Sequence, residues 1–159
     1  MTYPAVGTPA PEFTLPTDTG ANLTLSAFRG RPVVIYFYPK DDTSGCTKES
    51  CEFRDLVPRF ERVNAQILGI SPDGVKSHAK FRDKYHLNFP LLADEGHAVA
   101  DQYGVWQEKS MYGRKYWGNA RTTFVIAPDG RITKIFRAVK PEGHAEEVAS
   151  VVARVAGSG

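Results

Sequence analysis

The stretch Val33-Val34-Ile35-Tyr36-Phe37-Tyr38-Pro39-Lys40-Asp41-Asp42-Thr43-Ser44-Gly45-Cys46-Thr47-Lys48-Glu49-Ser50-Cys51 decides the fold. Its opening is an apolar run, as in a strand covered on both faces of a sheet. A polar turn follows, and Cys46 opens a helical pattern. The segment reads as strand, turn, helix. A thiol at a helix N-terminus sits among unpaired backbone N–H groups, at the positive end of the helix dipole. That setting favours the thiolate, which is the reactive form of cysteine. Cys51, the only other cysteine, lies five residues on and can trap what the first becomes. The pattern points to redox chemistry.

Working outward, Pro4, Gly7, Pro9 and Pro11 form an irregular lead-in. Phe13-Thr14-Leu15 and Asn22-Leu23-Thr24-Leu25 flank Asp18-Thr19-Gly20, which predicts a hairpin. Downstream, Phe53, Leu56, Val57 and Phe60 fall at i, i+3, i+4 and i+7, so a helix is expected from Cys46 to about Val63. Pro58 should kink or break it near Leu56. Residues 66–71 read as a strand, 77–85 as a helix, 89–93 as a short strand and 96–103 as a short helix. Residues 122–127 and 132–136 read as strands joined by the tight turn Pro128-Asp129-Gly130. The terminal helix, 142–155, places Val148, Val151, Val152 and Val155 on one face. Alternating strands and helices followed by a hairpin and a helix predict an α/β fold. The expected architecture is a mixed central sheet flanked by helices, with an N-terminal β-hairpin.

A chain of 159 residues predicts one domain, 1–159, with a full core that needs no disulfide. The net charge of +2 gives no basis for nucleic-acid or anionic-membrane binding. The opening residues carry no signal-peptide pattern and no apolar run approaches membrane-spanning length. Two cysteines in such a chain suit catalysis better than a permanent staple, and a cytoplasmic location is expected. His78, His86, His97 and His144 are scattered and read as surface or core residues. Tyr112, Tyr116 and Trp117 form an aromatic group before Arg121, either walling a pocket or packing.

Pro39-x-x-x-Thr43-x-x-Cys46 resembles the peroxiredoxin signature, and Cys46-x4-Cys51 is similar to the bacterioferritin-comigratory, or Q-type, subfamily. The resemblance extends to Gly7-x-x-Ala10-Pro11-x-Phe13, Gly45-Cys46-Thr47-x-Glu49 and Arg121-Thr122-Thr123-Phe124. Ser44 departs from the pattern, which usually has proline there, and should loosen the loop. The resemblance implies a thioredoxin-like fold and thiol-dependent reduction of hydroperoxides, with thioredoxin or a similar dithiol as donor. It implies no cofactor and no metal, and it favours a monomer.

The same resemblance implies residue roles. Cys46 is the attacking thiol and Cys51 the resolving thiol, which condenses with the Cys46 sulfenic acid to a disulfide. Thr43 offers a hydroxyl to the peroxide, although threonine before a helix is also a common cap. Pro39 shields the thiolate from water. Arg121 brings a fixed charge to the helix terminus, and Glu49 orients it or serves as a first-turn acid. Thr47, Lys48, Glu49 and Ser50 are polar and read as burying little apolar surface, so melting this turn to form the disulfide is expected to be tolerable. Two other readings use the same cysteines: a general thiol–disulfide oxidoreductase, and a metal-binding module. The latter is short of ligands, because structural zinc takes four.

Overall fold

A computed structural model describes residues 3–158. Its strands are β1 (Thr14–Pro16), β2 (Asn22–Thr24), β3 (Val33–Phe37), β4 (Gln66–Ser71), β5 (Leu91–Ala93), β6 (Trp106–Met111), β7 (Arg114–Asn119), β8 (Thr122–Ile126) and β9 (Ile132–Phe136). Its helices are α1 (Ser44–Arg62), α2 (Val75–Tyr85), α3 (Ala98–Gln102) and α4 (His144–Ser158). The central sheet runs β5-β4-β3-β8-β9. β3 and β4, and β4 and β5, pair in parallel; β8 lies antiparallel to both β3 and β9. This is the expected thioredoxin-like α/β arrangement with a mixed sheet. The N-terminal hairpin is also present, with Leu15 opposite Leu23.

All five residues of β3 are buried, because both faces of the sheet are covered. Side chains alternate across a strand. Val34, Tyr36 and Tyr38 therefore enter one core layer with Phe53, Phe60, Val148 and Val152 of α1 and α4. Val33, Ile35 and Phe37 enter the other with Phe13, Tyr103 and Phe124. The predicted apolar faces of α1 and α4 are the faces that pack.

Pro58 does not break α1, contrary to expectation: the helix continues to Arg62. A mid-helix proline costs about 3 kcal/mol and orphans the carbonyl four residues earlier. Here that carbonyl, on Arg54, accepts a hydrogen bond from the Asn88 side chain at 3.3 Å. Its neighbours Val57 and Phe60 are buried, and each contributes about 1.5–3 kcal/mol. Tertiary burial outweighs the local penalty.

The β6–β7 hairpin was not expected. Its two-residue turn, Tyr112-Gly113, has positive φ at both positions, 52° and 79°, between the paired residues Met111 and Arg114. Such a turn matches strand twist, and Gly113 adopts it without strain. Tyr112 at the tip is 99% exposed, and Trp117 and Tyr116 are also exposed. The aromatic group thus belongs to a projecting arm and does not pack in the core.

Candidate active site

The site forms where β3 ends and α1 begins. Thr43 is the N-cap residue in extended conformation, and Cys46 is the third residue of the helix, fully buried. The register pairs Phe37 with Thr122, so Arg121 precedes β8 where β3 stops. Its Nη2 donates to Cys46 Sγ at 3.4 Å, and its Nη1 donates to Glu49 Oε1 at 2.9 Å. Thus two of the expected partners, Arg121 and Glu49, meet the expected thiol.

Burial lowers the proton affinity of the Arg121 guanidinium, but the Cys46 and Glu49 charges outweigh this and leave it raised, so Arg121 is a fixed cation. Glu49 is 1% exposed. Burial pushes its carboxyl up to about 7, although Arg121 pulls the other way. Its second oxygen, Oε2, has no hydrogen-bond partner among the described residues. In the unfolded chain this carboxyl ionises near 4.5. Between the two values the native state holds a proton that the unfolded state has lost. Stability therefore falls as pH rises from 4.5 to about 7. Glu49→Gln keeps an acceptor for Arg121 and removes the titration. Urea unfolding of both proteins across that window should show a flatter slope for the variant; equal slopes would refute the assignment.

Thr43 makes no side-chain cap. Its hydroxyl donates to the Lys40 carbonyl at 2.9 Å, which leaves its lone pairs free to accept. Its own carbonyl accepts from the Thr47 amide. Pro39 is half-buried where the chain leaves β3. Cys51 is a free, half-buried thiol on the same helix, and burial raises its proton affinity. The turn between the cysteines is less loosely held than its polarity suggests. Ser50 is fully buried with its hydroxyl 2.8 Å from Tyr36 Oη, and Glu49 is held by Arg121. Both residues spend their polarity on buried partners.

Sequence reasoning missed the contributions of Lys109 and the steric role of Gly45. Lys109, half-buried on β6, donates to the Asn119 carbonyl at 3.0 Å. Burial and then Arg121 lower its proton affinity while Cys46 raises it, so it shares the site's field. Only the β6–β7 hairpin brings it there, so its position could not be inferred without that hairpin. A Cβ on Gly45 would lie 3.1 Å from Arg121 Nη2, so the glycine admits the guanidinium. Its place beside the cysteine was the available signal. Ser44 occupies the first helical position, after a residue at φ −94° and ψ 155°. Both conditions suit proline. Ser44→Pro is expected to stabilise the chain by about 0.4–1 kcal/mol, read as a higher urea midpoint.

Among the described residues, one group of three His, Cys, Asp or Glu side chains lies close enough to share an ion: Asp41, Asp73 and His78. It contains neither cysteine, so the metal-binding use of Cys46 and Cys51 finds no third ligand there.

Residues 6–135 match the AhpC/TSA family model. The Bacillus subtilis peroxiredoxin Bcp is 43% identical over 142 residues, covering 89% of this chain and 90% of its own. The structure of a cysteine-to-serine mutant of Xylella fastidiosa PrxQ superposes with a TM-score of 0.91 at 37% identity, covering 97% of this chain and 98% of the other. A Xanthomonas campestris bacterioferritin comigratory protein, described for its alkyl peroxide reduction activity, gives 0.86 at 41% identity, with 91% and 92% covered. Likeness in sequence and backbone over most of the chain accompanies the buried thiol and its guanidinium, and the chain belongs to the AhpC/TSA family, with the Q-type peroxiredoxins as its relatives.

Proposed function

We propose that residues 1–159 form one peroxidase domain that reduces hydrogen peroxide and organic hydroperoxides through Cys46. The observation that carries this reading is the Arg121 donor 3.4 Å from a buried thiol at a helix N-terminus. The Cys46 thiolate attacks one peroxide oxygen, the O–O bond breaks, and the other oxygen leaves as alkoxide or hydroxide. Thiolate is oxidised to sulfenic acid, and the leaving oxygen takes a proton. Arg121 stabilises the growing charge, as preorganised donors do. Thr43, its own proton committed to Lys40, accepts from the peroxide O–H. Pro39, with no N–H, shields the thiolate, and Glu49 positions Arg121. Cys51 then attacks the sulfenic sulfur, forming a disulfide and releasing water.

A dithiol donor of the thioredoxin kind returns both thiols. Alkyl peroxide reduction by the Xanthomonas campestris relative supports organic hydroperoxides as substrates. Two free cysteines suit a reducing cytoplasm, and the Q-type resemblance supports a monomer. No helix among the described residues is long and apolar enough to cross a membrane. Steady-state peroxide consumption with several peroxides and several dithiol donors tests the reading. Turnover driven by thioredoxin supports it. Faster reaction with a protein disulfide than with any hydroperoxide would instead make the chain a general thiol–disulfide oxidoreductase.

A further inference from the structure

The loop that carries Thr43 is clamped from below by a buried polar network on α2. Asp41 is nearly fully buried, and three side chains converge on its carboxylate. Tyr38 Oη donates to Oδ1 at 2.6 Å, Ser77 Oγ donates to Oδ2 at 2.8 Å, and His78 Nδ1 lies 2.7 Å from Oδ2. His78 is wholly buried, and its Nε2 lies 2.9 Å from the Leu92 carbonyl of β5. A carbonyl only accepts, so Nε2 carries a proton. Two facing lone pairs at 2.7 Å would repel, so a second proton lies between Nδ1 and Oδ2. That shared proton ties the ring to the Asp41 carboxyl.

This network reaches Thr43 through one peptide group. The Asp41 amide donates to Asp73 Oδ2 at 2.8 Å, and Asp73 Oδ2 also accepts from Ser71 Oγ at 2.6 Å. The Lys40 carbonyl, in the same peptide plane as that amide, accepts the Thr43 hydroxyl. The peptide is planar, so fixing its N–H fixes its C=O. The next residue, Asp42, sits at φ 58°, where a non-glycine residue is strained, and its carboxylate is held by Lys84 and Tyr85 of α2. The hydrogen bonds among Asp41, Asp73 and His78 account for their proximity without an ion.

We propose that His78 is a positioning residue for peroxide reduction: paired with Asp41, it sets the Lys40–Asp41 peptide and thereby the place of the Thr43 hydroxyl. This rests on the peroxidase reading above. Two substitutions separate the bonds of the ring. His78→Asn keeps a donor where Nδ1 was and loses the bond to Leu92. His78→Gln keeps a donor where Nε2 was and loses the bond to Asp41. Misplacing a group that contacts substrate can cost up to about 100-fold. Stopped-flow oxidation of Cys46 by hydrogen peroxide should therefore be about 10- to 100-fold slower in His78→Gln. His78→Asn should keep most of the wild-type rate. In the unaltered protein, proton NMR should find a slowly exchanging, hydrogen-bonded proton between His78 and Asp41, whichever variants fold. A wild-type chain inert to hydrogen peroxide would overturn the peroxidase reading and this role with it. An active wild type without that protected proton, a His78→Gln variant as fast as wild type, or a His78→Asn variant as slow as His78→Gln would overturn the role alone.

Discussion

Cys46→Ser is expected to abolish hydroperoxide consumption, whereas Cys51→Ser is expected to retain the first reaction and lose turnover. The two thiols differ in setting. Cys46 is fully buried with Arg121 donating to its sulfur, while Cys51 is half-buried, free of that donor, and made harder to ionise by burial. Removing an attacking group from a preorganised site costs on the order of 10³-fold or more. In Cys51→Ser, one equivalent of peroxide should leave a sulfenic acid at Cys46, which mass spectrometry reads as one added oxygen. An unmodified Cys46 beside an oxidised residue elsewhere would remove Cys46 from the mechanism.

Disulfide formation is expected to melt the start of α1. Both cysteines lie in one continuous helix, five residues apart. At 100° and 1.5 Å per residue, on a radius of about 2.3 Å, their Cα atoms stand about 8.7 Å apart and point in different directions. A disulfide needs less than about 7 Å and facing Cβ vectors. The turn must open, and it must give up the Ser50–Tyr36 bond, the Glu49–Arg121 pair and the Glu52 contact to the Gly143 amide. Each neutral bond contributes about 0.5–1.5 kcal/mol net, and those to charged groups more. Opening therefore costs several kcal/mol. Phe53, buried and stacked on Tyr36 at 4.8 Å, is where opening should stop. Hydrogen exchange should show amides 47–56 losing protection on oxidation, because those of 53–56 donate to carbonyls 49–52 of the opened turn, with amides beyond Leu56 unchanged. Equal protection in both states, with the Cys46–Cys51 disulfide verified, would refute the helical placement of the two thiols.

The sequence made the site's local half legible. An apolar run marks β3, a polar turn marks the loop, and the spacing of Phe53, Val57 and Phe60 marks α1. Arg121 was reachable only through resemblance. Nothing in its neighbourhood says that antiparallel pairing will carry it 75 residues back to a thiol. Pro58 misled because a local rule cannot see Asn88 filling the orphaned carbonyl. Ser50 misled because polarity alone does not reveal a buried Tyr36 hydroxyl waiting for it. The β6–β7 arm escaped because its strands are mostly exposed, and Tyr112-Gly113 is not the usual hairpin dipeptide.

The antiparallel pairing of β3 with β8 also sets a timetable during synthesis. The thiol leaves the ribosome long before its guanidinium does. By residue 93 the parallel half, β3-β4-β5, is complete, yet Arg121 is still unmade. At roughly 5–20 residues per second, the gap between Cys46 and Arg121 lasts several seconds. Throughout that interval the nascent Cys46 sulfur has no Arg121 donor, and the two groups meet only when β8 joins β3 and closes the sheet.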